Sequence, residues 1–427
     1  MSSICYERNR NKLFLIYIAI ILVLLFQDIL QQYMTPFFWA DEIIGVCSLP
    51  LSILLLKVKP GILSKEEKII VVAFISFILI GIFSSIVYRF QDIKVSFSDM
   101  VLISKFIGAY FFSRSFFNEI KVEDCAKYIK AIFRGITAIV FLTTVADHIF
   151  EIFPAIEKAF ILREEKLLFY HPTYLAVFCV IILAYLTLVS QNKLIDYVFI
   201  IQIMLVCAST LTTKALGLLF VYAGINLLIK KANKIKVKYL VLGAIIMVML
   251  FLPEVQYYYA VNEQSPRYQL TINSFRIANS FFPLGAGFAT YGSFYSGVSY
   301  SPLYEEFHLD SIWGLNRSNT QFISDTFWPM ILGQFGYFGL IFFLIVLINF
   351  GFLIKRLMSV NTNYAFFALV PFMYLFISST SESSFANGYS VSFFLMIGMA
   401  VSQIKQQKTN EEYDYSKQED SYLVAAN

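Results

Sequence analysis

Residues 69–88 read IIVVAFISFILIGIFSSIVY, twenty consecutive positions without a charge. An α-helix of that length spans roughly 30 Å, the thickness of the hydrocarbon core of a bilayer. The run shows neither the alternation of a half-wet strand nor the polar stripe of an amphipathic surface helix. It reads as a membrane span. The same criterion places further spans near 13–31, 37–56, 98–117, 129–149, 171–190, 194–211, 214–230, 238–253, 326–354, 364–381 and 387–404. The expected fold class is therefore an all-α polytopic membrane protein with about twelve transmembrane helices.

Composition agrees. Of 427 residues, 58% are hydrophobic and 15% charged, with a mean hydropathy of +0.68. Soluble domains carry about 25% charged residues, so this much apolar surface cannot close into one core and must face lipid. The net charge of +4 resides in loops flanking the spans, which does not suggest nucleic acid as a partner. Cys5, Cys47, Cys125, Cys179 and Cys207 are scattered without a CxxC pair, so neither a disulfide framework nor a zinc site is expected. Arg8, Arg10 and Lys12 precede the apolar run Leu13–Leu25, which lacks a small-residue cleavage site and leads into more apolar segments. It reads as an uncleaved first span.

Orientation follows from loop lysines and arginines. Arg8/Arg10/Lys12, Lys57/Lys59/Lys65/Lys68, Lys230/Lys231/Lys234/Lys236/Lys238, Lys355/Arg356 and Lys405/Lys408 all fall on one side of a twelve-span arrangement. Both termini are then expected in the cytoplasm. The chain divides into spans over 1–253, a large extracytoplasmic loop over 254–325, three spans over 326–404, and a polar, disordered cytoplasmic tail over 405–427. The loop is too long for a simple connection and, with Tyr257–Tyr259, Phe281, Phe282 and Trp313, too aromatic for disorder.

An ionisable residue in a membrane costs at least about 2.5 kcal/mol and needs a reason. Asp41 and Glu42 open the second span, His171 the sixth and Lys214 the eighth. Asp325 precedes the tenth, and Glu382 lies between the last two. Any one of these could be a tolerated charge at headgroup level. All six fall at outer span ends beside the large loop, which favours a polar pocket there.

Within the loop, Ser265 and Pro266 suit the N-cap and first position of a helix running to Phe281. At helical spacing Leu270, Ser274, Ile277, Ala278 and Phe281 share a face with Arg267, whereas Gln269, Asn273, Arg276 and Ser280 lie opposite. Arg276 reads as a solvated arginine. Arg267 needs a partner, either a structural carboxylate or a phosphate, whose oxygens its planar fork matches. Pro283-Leu284-Gly285-Ala286-Gly287 forms a turn that backbone can approach closely. Glu305, Glu306, His308 and Asp310 could bind a cation or sugar hydroxyls, or form a wetted loop surface. Tyr291, Tyr295, Tyr304 and Trp313 could stack on sugars or rest in the headgroup belt.

Several of these segments carry a resemblance. Arg267-Tyr-Gln-Leu-Thr271 followed by Pro283-Leu-Gly285-Ala-Gly287 resembles the arginine–helix–PLxGxG segment of O-antigen polymerases and O-antigen ligases. Ser324-Asp325-Thr-Phe-Trp328, with Gly333, Gly336 and Gly339, resembles the stretch that follows it. The aspartate at 325, where ligases usually carry histidine, is closer to the polymerases. Thr213-Lys214-Ala-Leu-Gly217 is similar to the Ser-Arg-x-x element with lysine for arginine, and Glu382, Phe385 and Asn387 to the last periplasmic turn. The likeness runs in order over roughly residues 165–404.

The resemblance implies a GT-C-like glycosyltransferase in the bacterial inner membrane, acting at the periplasmic face on undecaprenyl-pyrophosphate-linked oligosaccharide. It implies no cofactor and no metal. Arg267 and Lys214 are the expected pyrophosphate contacts. Asp325 is the candidate base or acceptor-orienting group, with His171 and Glu305 behind it, and Gly285, Gly287 and Glu382 are further substrate contacts. A repeat-unit polymerase is the first expectation, with a chain-length regulator as a candidate partner. An O-antigen ligase and a lipid-linked sugar transporter or flippase are the alternatives.

Overall fold

The computed structural model describes residues 2–58, 63–117, 122–154, 158–159, 162–231 and 264–404. The expected span 238–253, the loop residues 254–263 and the tail 405–427 lie outside the described residues. The helices are α1 (Ser2–Tyr33), α2 (Ala40–Val58), α3 (Lys65–Tyr88), α4 (Ile93–Phe116), α5 (Ala126–Phe150), α6 (Pro172–Leu188), α7 (Leu194–Ser209), α8 (Thr213–Lys231), α9 (Pro266–Ser280), α10 (Trp328–Val360), α11 (Thr362–Ser378) and α12 (Gly388–Ile404). A two-residue antiparallel pair, Lys158–Ala159 with Leu162–Arg163, is the only ladder among the described residues.

Each expected span within the described residues is a helix. Six are long and apolar enough to cross a membrane, namely Phe14–Tyr33, Thr35–Lys57, Lys65–Tyr88, Ile93–Phe116, Ala126–Phe150 and Trp328–Val360. Pro172–Leu188, Leu194–Ser209, Thr362–Ser378 and Gly388–Ile404 are apolar but shorter. Helix α3 shows how the apolar surface is divided. Ser64 and Glu67 form a capping box that starts it, and Arg89 ends it in the left-handed conformation. Ile70, Ala73, Phe74, Phe77 and Gly81 are buried against the bundle, while Val72, Leu79, Phe83 and Ile86 point outward and are more than half exposed. An outward face that apolar is the surface of a membrane helix.

Residues 264–327 form a cap on the bundle with an apolar centre of its own, built around Leu270, Ile277, Tyr291, Leu303, Tyr304 and Leu315. Helix α9 packs along α10. Its buried positions are Leu270, Asn273, Ser274, Ile277 and Ala278. Asn273 thus departs from the expected solvent face; its amide donates to the Gln269 carbonyl at 3.0 Å and side chain at 3.1 Å, which satisfies it under cover. Arg276 is exposed, as the spacing indicates.

The cap is locked into a broken helix. Gly336 interrupts α10 with φ 62° and ψ −164°, a conformation open essentially to glycine alone. The break frees carbonyls, and the Pro283–Gly287 turn supplies the donors: Ala286 N–H to the Gly333 carbonyl at 3.0 Å and Gly287 N–H to the Gln334 carbonyl at 2.8 Å. A Cβ on Gly285 would lie 2.4 Å from the Gly336 nitrogen, and one on Gly287 2.7 Å from the Ser85 nitrogen. The close approach expected of Gly285 and Gly287 is therefore to α10 and α3. Both glycines are buried by protein.

Candidate functional site

Two turns at the cap end of the bundle carry the acidic half of the site. The Ser383 amide and hydroxyl both donate to the Ser324 carbonyl, at 3.2 and 2.9 Å. The Trp328 indole N–H donates to the Ser379 hydroxyl at 2.9 Å. These bonds fasten the turn entering α10 to the turn joining α11 and α12. Asp325 and Glu382 consequently lie within electrostatic reach of one another.

Each carboxylate faces a cation from a distant segment. Arg267 Nη2 donates to Asp325 Oδ2 at 3.2 Å and to the Ser381 carbonyl at 3.5 Å, so it touches both turns. Lys214 Nζ donates to Glu382 Oε1 at 2.8 Å, and the Asn387 amide holds Glu382 Oε2 at 3.3 Å. All four side chains are partly buried, with 18–27% of their surface exposed. Burial pushes the Asp325 carboxyl above its ordinary value, Arg267 and Lys214 pull it back, and Glu382 adds to the rise.

His171 completes the group. It is the N-cap of α6, its Nδ1 accepting the Thr173 N–H at 3.2 Å. Partial burial and the Lys214 ammonium hold its imidazole below the ordinary value, against the Glu382 carboxylate. Both effects favour the neutral imidazole, which is able to accept a proton.

The placement of the cations is unusual. Lys214 is the second residue of α8 and Arg267 the second of α9, and neither helix has an acidic residue in its first turn. A helix N-terminus carries partial positive charge, so a cation there is opposed by about 0.3–1 kcal/mol and an anion is favoured. Two helices therefore add their positive ends to two positive side chains. That arrangement suits an anion with more than one charged oxygen.

Beside the group lies a cavity of about 520 Å³ bounded by α1, α2, α4, α6 and the Phe294–Val298 turn. Ser324, Ser383 and Asn387 stand in its wall, so it adjoins Asp325 and Glu382 through their chain neighbours. Asp41 and Glu42, expected at the pocket, line this cavity rather than the ion-pair group. Asp41 accepts from Lys105 Nζ at 2.7 Å. Asp28, Asp99 and Lys105 also line it. The sequence reading does not single out these three, although they fall inside expected spans and meet the same criterion of a charge in an apolar run.

The other expected residues sit elsewhere. Glu305 is exposed on the cap and pairs with Arg317 at 2.8 Å; no contact joins it to Asp325. Its neighbours Glu306, His308 and Asp310 are likewise exposed, as on a wetted loop surface. Tyr291 and Tyr304 are fully buried, their rings stacked at 5.8 Å, and the Tyr291 hydroxyl donates to the Leu270 carbonyl, so neither can offer a face to a sugar. Trp313 is exposed and packs edge-on to Phe322. Of the four aromatics, only Tyr295 lines the cavity. Among the described residues, no three His, Cys, Asp or Glu side chains converge as ligands for a metal ion.

No protein-family model matches the chain, and no curated protein matches it at a significant level.

Proposed function

We propose that the chain is a GT-C-type membrane glycosyltransferase of the O-antigen polymerase kind, with twelve spans, both termini in the cytoplasm and the cap on the periplasmic face. It extends a lipid-linked glycan by moving the growing chain from undecaprenyl pyrophosphate to a sugar hydroxyl of an incoming repeat unit. The observation that carries this reading is the pair of cations, Arg267 and Lys214, at the positive ends of two helices beside an acceptor carboxylate.

The chemistry follows from those groups. The acceptor hydroxyl oxygen attacks the anomeric carbon, a new C–O glycosidic bond forms, and the bond from that carbon to the diphosphate breaks. The electron pair leaves on the diphosphate, which Arg267 and Lys214 stabilise. The hydroxyl proton passes to Asp325, for which His171 is the neighbouring alternative. In the resting arrangement each cation is held by a carboxylate. When the diphosphate takes the Arg267 fork, Asp325 loses its main compensating charge and becomes more basic as the donor arrives. Binding of the leaving group thereby prepares the base.

The test is purified protein in detergent with a synthetic undecaprenyl-pyrophosphate-linked repeat unit as sole substrate. A ladder of products supports a polymerase. Transfer only to an added terminal acceptor indicates a ligase, and absence of any glycosidic product removes the transferase reading.

A further inference from the structure

Charge is divided unevenly at the cap end of the bundle. The ion-pair group sets two cations against two carboxylates. The adjoining cavity is lined by four carboxylates, those of Asp28, Asp41, Glu42 and Asp99, and a single cation, Lys105, already committed to Asp41. An anion is welcome on one side of the Ser324–Ser383 wall and opposed on the other.

Resting on the glycosyltransferase reading, we propose that this cavity receives the sugar rings of the lipid-linked substrate and selects uncharged or amine-bearing saccharides while excluding those that carry a carboxylate. Its volume of about 520 Å³ falls within the usual range for a small-molecule site, about 300–1,000 Å³. Its lining combines acceptors with apolar platforms, as a polyhydroxylated ring requires. The Asp28 carboxylate is fixed by the Tyr170 N–H at 2.8 Å and the Gln31 amide at 3.0 Å. Asp41 is fixed by Lys105 at 2.7 Å and by the Gln27 amide at 2.6 Å, and Asp99 by the Ala289 N–H at 2.7 Å. Carboxylates held in this way keep lone pairs for hydroxyl or ammonium donors without having to rearrange.

The Glu42 carboxylate has no hydrogen-bond partner among the described residues and lines the cavity, so its oxygens remain available to a ligand. Phe38 and Trp39 stand at the lining with their rings edge to face at 5.2 Å and more than half exposed. They supply the flat apolar surfaces against which the C–H face of a sugar packs. A carboxylate-bearing sugar would bring a fifth anion into a partly desolvated space where like charges repel strongly. An acyl chain would offer no donor to the lone pairs that these carboxylates keep free.

The experiment measures binding without turnover. Full-length protein in nanodiscs is titrated calorimetrically with three trisaccharides of matched length: chitotriose, its de-N-acetylated counterpart, and trigalacturonate. The neutral and amine-bearing trimers should bind at least about tenfold more tightly than the uronate, a difference of about 1.4 kcal/mol. Glu42→Gln, which removes one cavity charge and keeps an oxygen for a hydroxyl donor, should raise uronate affinity relative to that of chitotriose by about threefold or more, roughly 0.65 kcal/mol. Asp28→Asn, which keeps an oxygen for the Tyr170 N–H, should act in the same direction. Uronate binding as tight as that of the other trimers, no saturable binding of the neutral and amine-bearing trimers, or unchanged selectivity in both variants overturns the proposal. The selectivity is read independently of catalysis: ladders without selectivity would remove the cavity assignment alone, and selectivity without ladders would remove the transferase reading alone.

Discussion

The Arg267 guanidinium and the Asp325 carboxylate, separated by 58 residues of sequence, meet at 3.2 Å. The pair joins the first turn of α9 to the turn that opens α10, and Arg267 also reaches the Ser381 carbonyl of a third segment. Arg267→Ala should abolish long-chain polysaccharide while the protein still accumulates in the membrane. Arg267→Lys, which keeps the charge but loses the planar fork, should retain partial activity. Chain-length ladders on gels give the readout, and normal ladders from the alanine variant would remove Arg267 from the machinery.

Asp325 should set the acidic limb of the pH profile. Its carboxyl is raised above the ordinary value by burial, and a base works only when deprotonated. Activity should therefore fall as pH drops through a point above the usual carboxylate range, and recover as pH rises. Asp325→Asn should lower turnover at least about tenfold, roughly 1.4 kcal/mol of barrier, and flatten that limb. An unchanged profile in the variant would show that another group accepts the proton.

The Lys214–Glu382 pair distinguishes charge placement from charge balance. Reversal of both residues, Lys214→Glu with Glu382→Lys, keeps a salt bridge and puts a carboxylate at the N-terminus of α8, where the helix dipole favours it. Thermal stability in detergent should stay near that of the parent, while ladder synthesis should be lost. Full activity of the reversed pair would mean that position 214 need not be cationic.

Gly336→Ala should loosen the cap. The residue has φ 62°, and a Cβ there would sit 2.4 Å from the Pro283 carbonyl oxygen. Left-handed strain of about 1–3 kcal/mol adds to the clash, so melting should occur at lower temperature and proteolysis should cut the cap first. Parent-like protection would show that the helix break tolerates a side chain.

The side of the membrane can be read chemically. Asp310→Cys places a thiol on an exposed cap position. In a Cys47→Ser background a membrane-impermeant maleimide should label it in spheroplasts from outside. Labelling only after lysis would put the cap in the cytoplasm and end the transferase reading.

How much of this was legible in the sequence depended on the range of the interactions. Helix α3 was readable because length and apolarity are local properties, and residues 69–88 carry both. The charges His171, Lys214, Asp325 and Glu382, at or beside helix ends, stood out for the same reason. Their pairing was not legible, since it depends on how the α11–α12 turn fastens to the turn before α10. Asp28, Asp99 and Lys105 sat in plain view within apolar runs, but their common cavity emerges only when α1 and α4 are packed together. The glycines of the 283–287 turn gave a local physical signal, close backbone approach, without saying which segment approaches. Gly285 meets Gly336, about fifty residues downstream, and Gly287 meets Ser85 of α3; no local pattern announces either.

The lock between the 283–287 turn and the broken α10 carries a consequence for biosynthesis. During translation the cap residues leave the ribosome before residues 333 and 334, whose carbonyls the turn must find, and α3 has by then long been inserted. The cap cannot settle until α10 has entered the bilayer, and Glu382 follows later still, on the turn between the last two helices. A nascent chain that stops short of the α11–α12 turn holds Lys214, Arg267 and Asp325 but not Glu382, so the Lys214 ammonium gains its carboxylate partner only after α11 has been made.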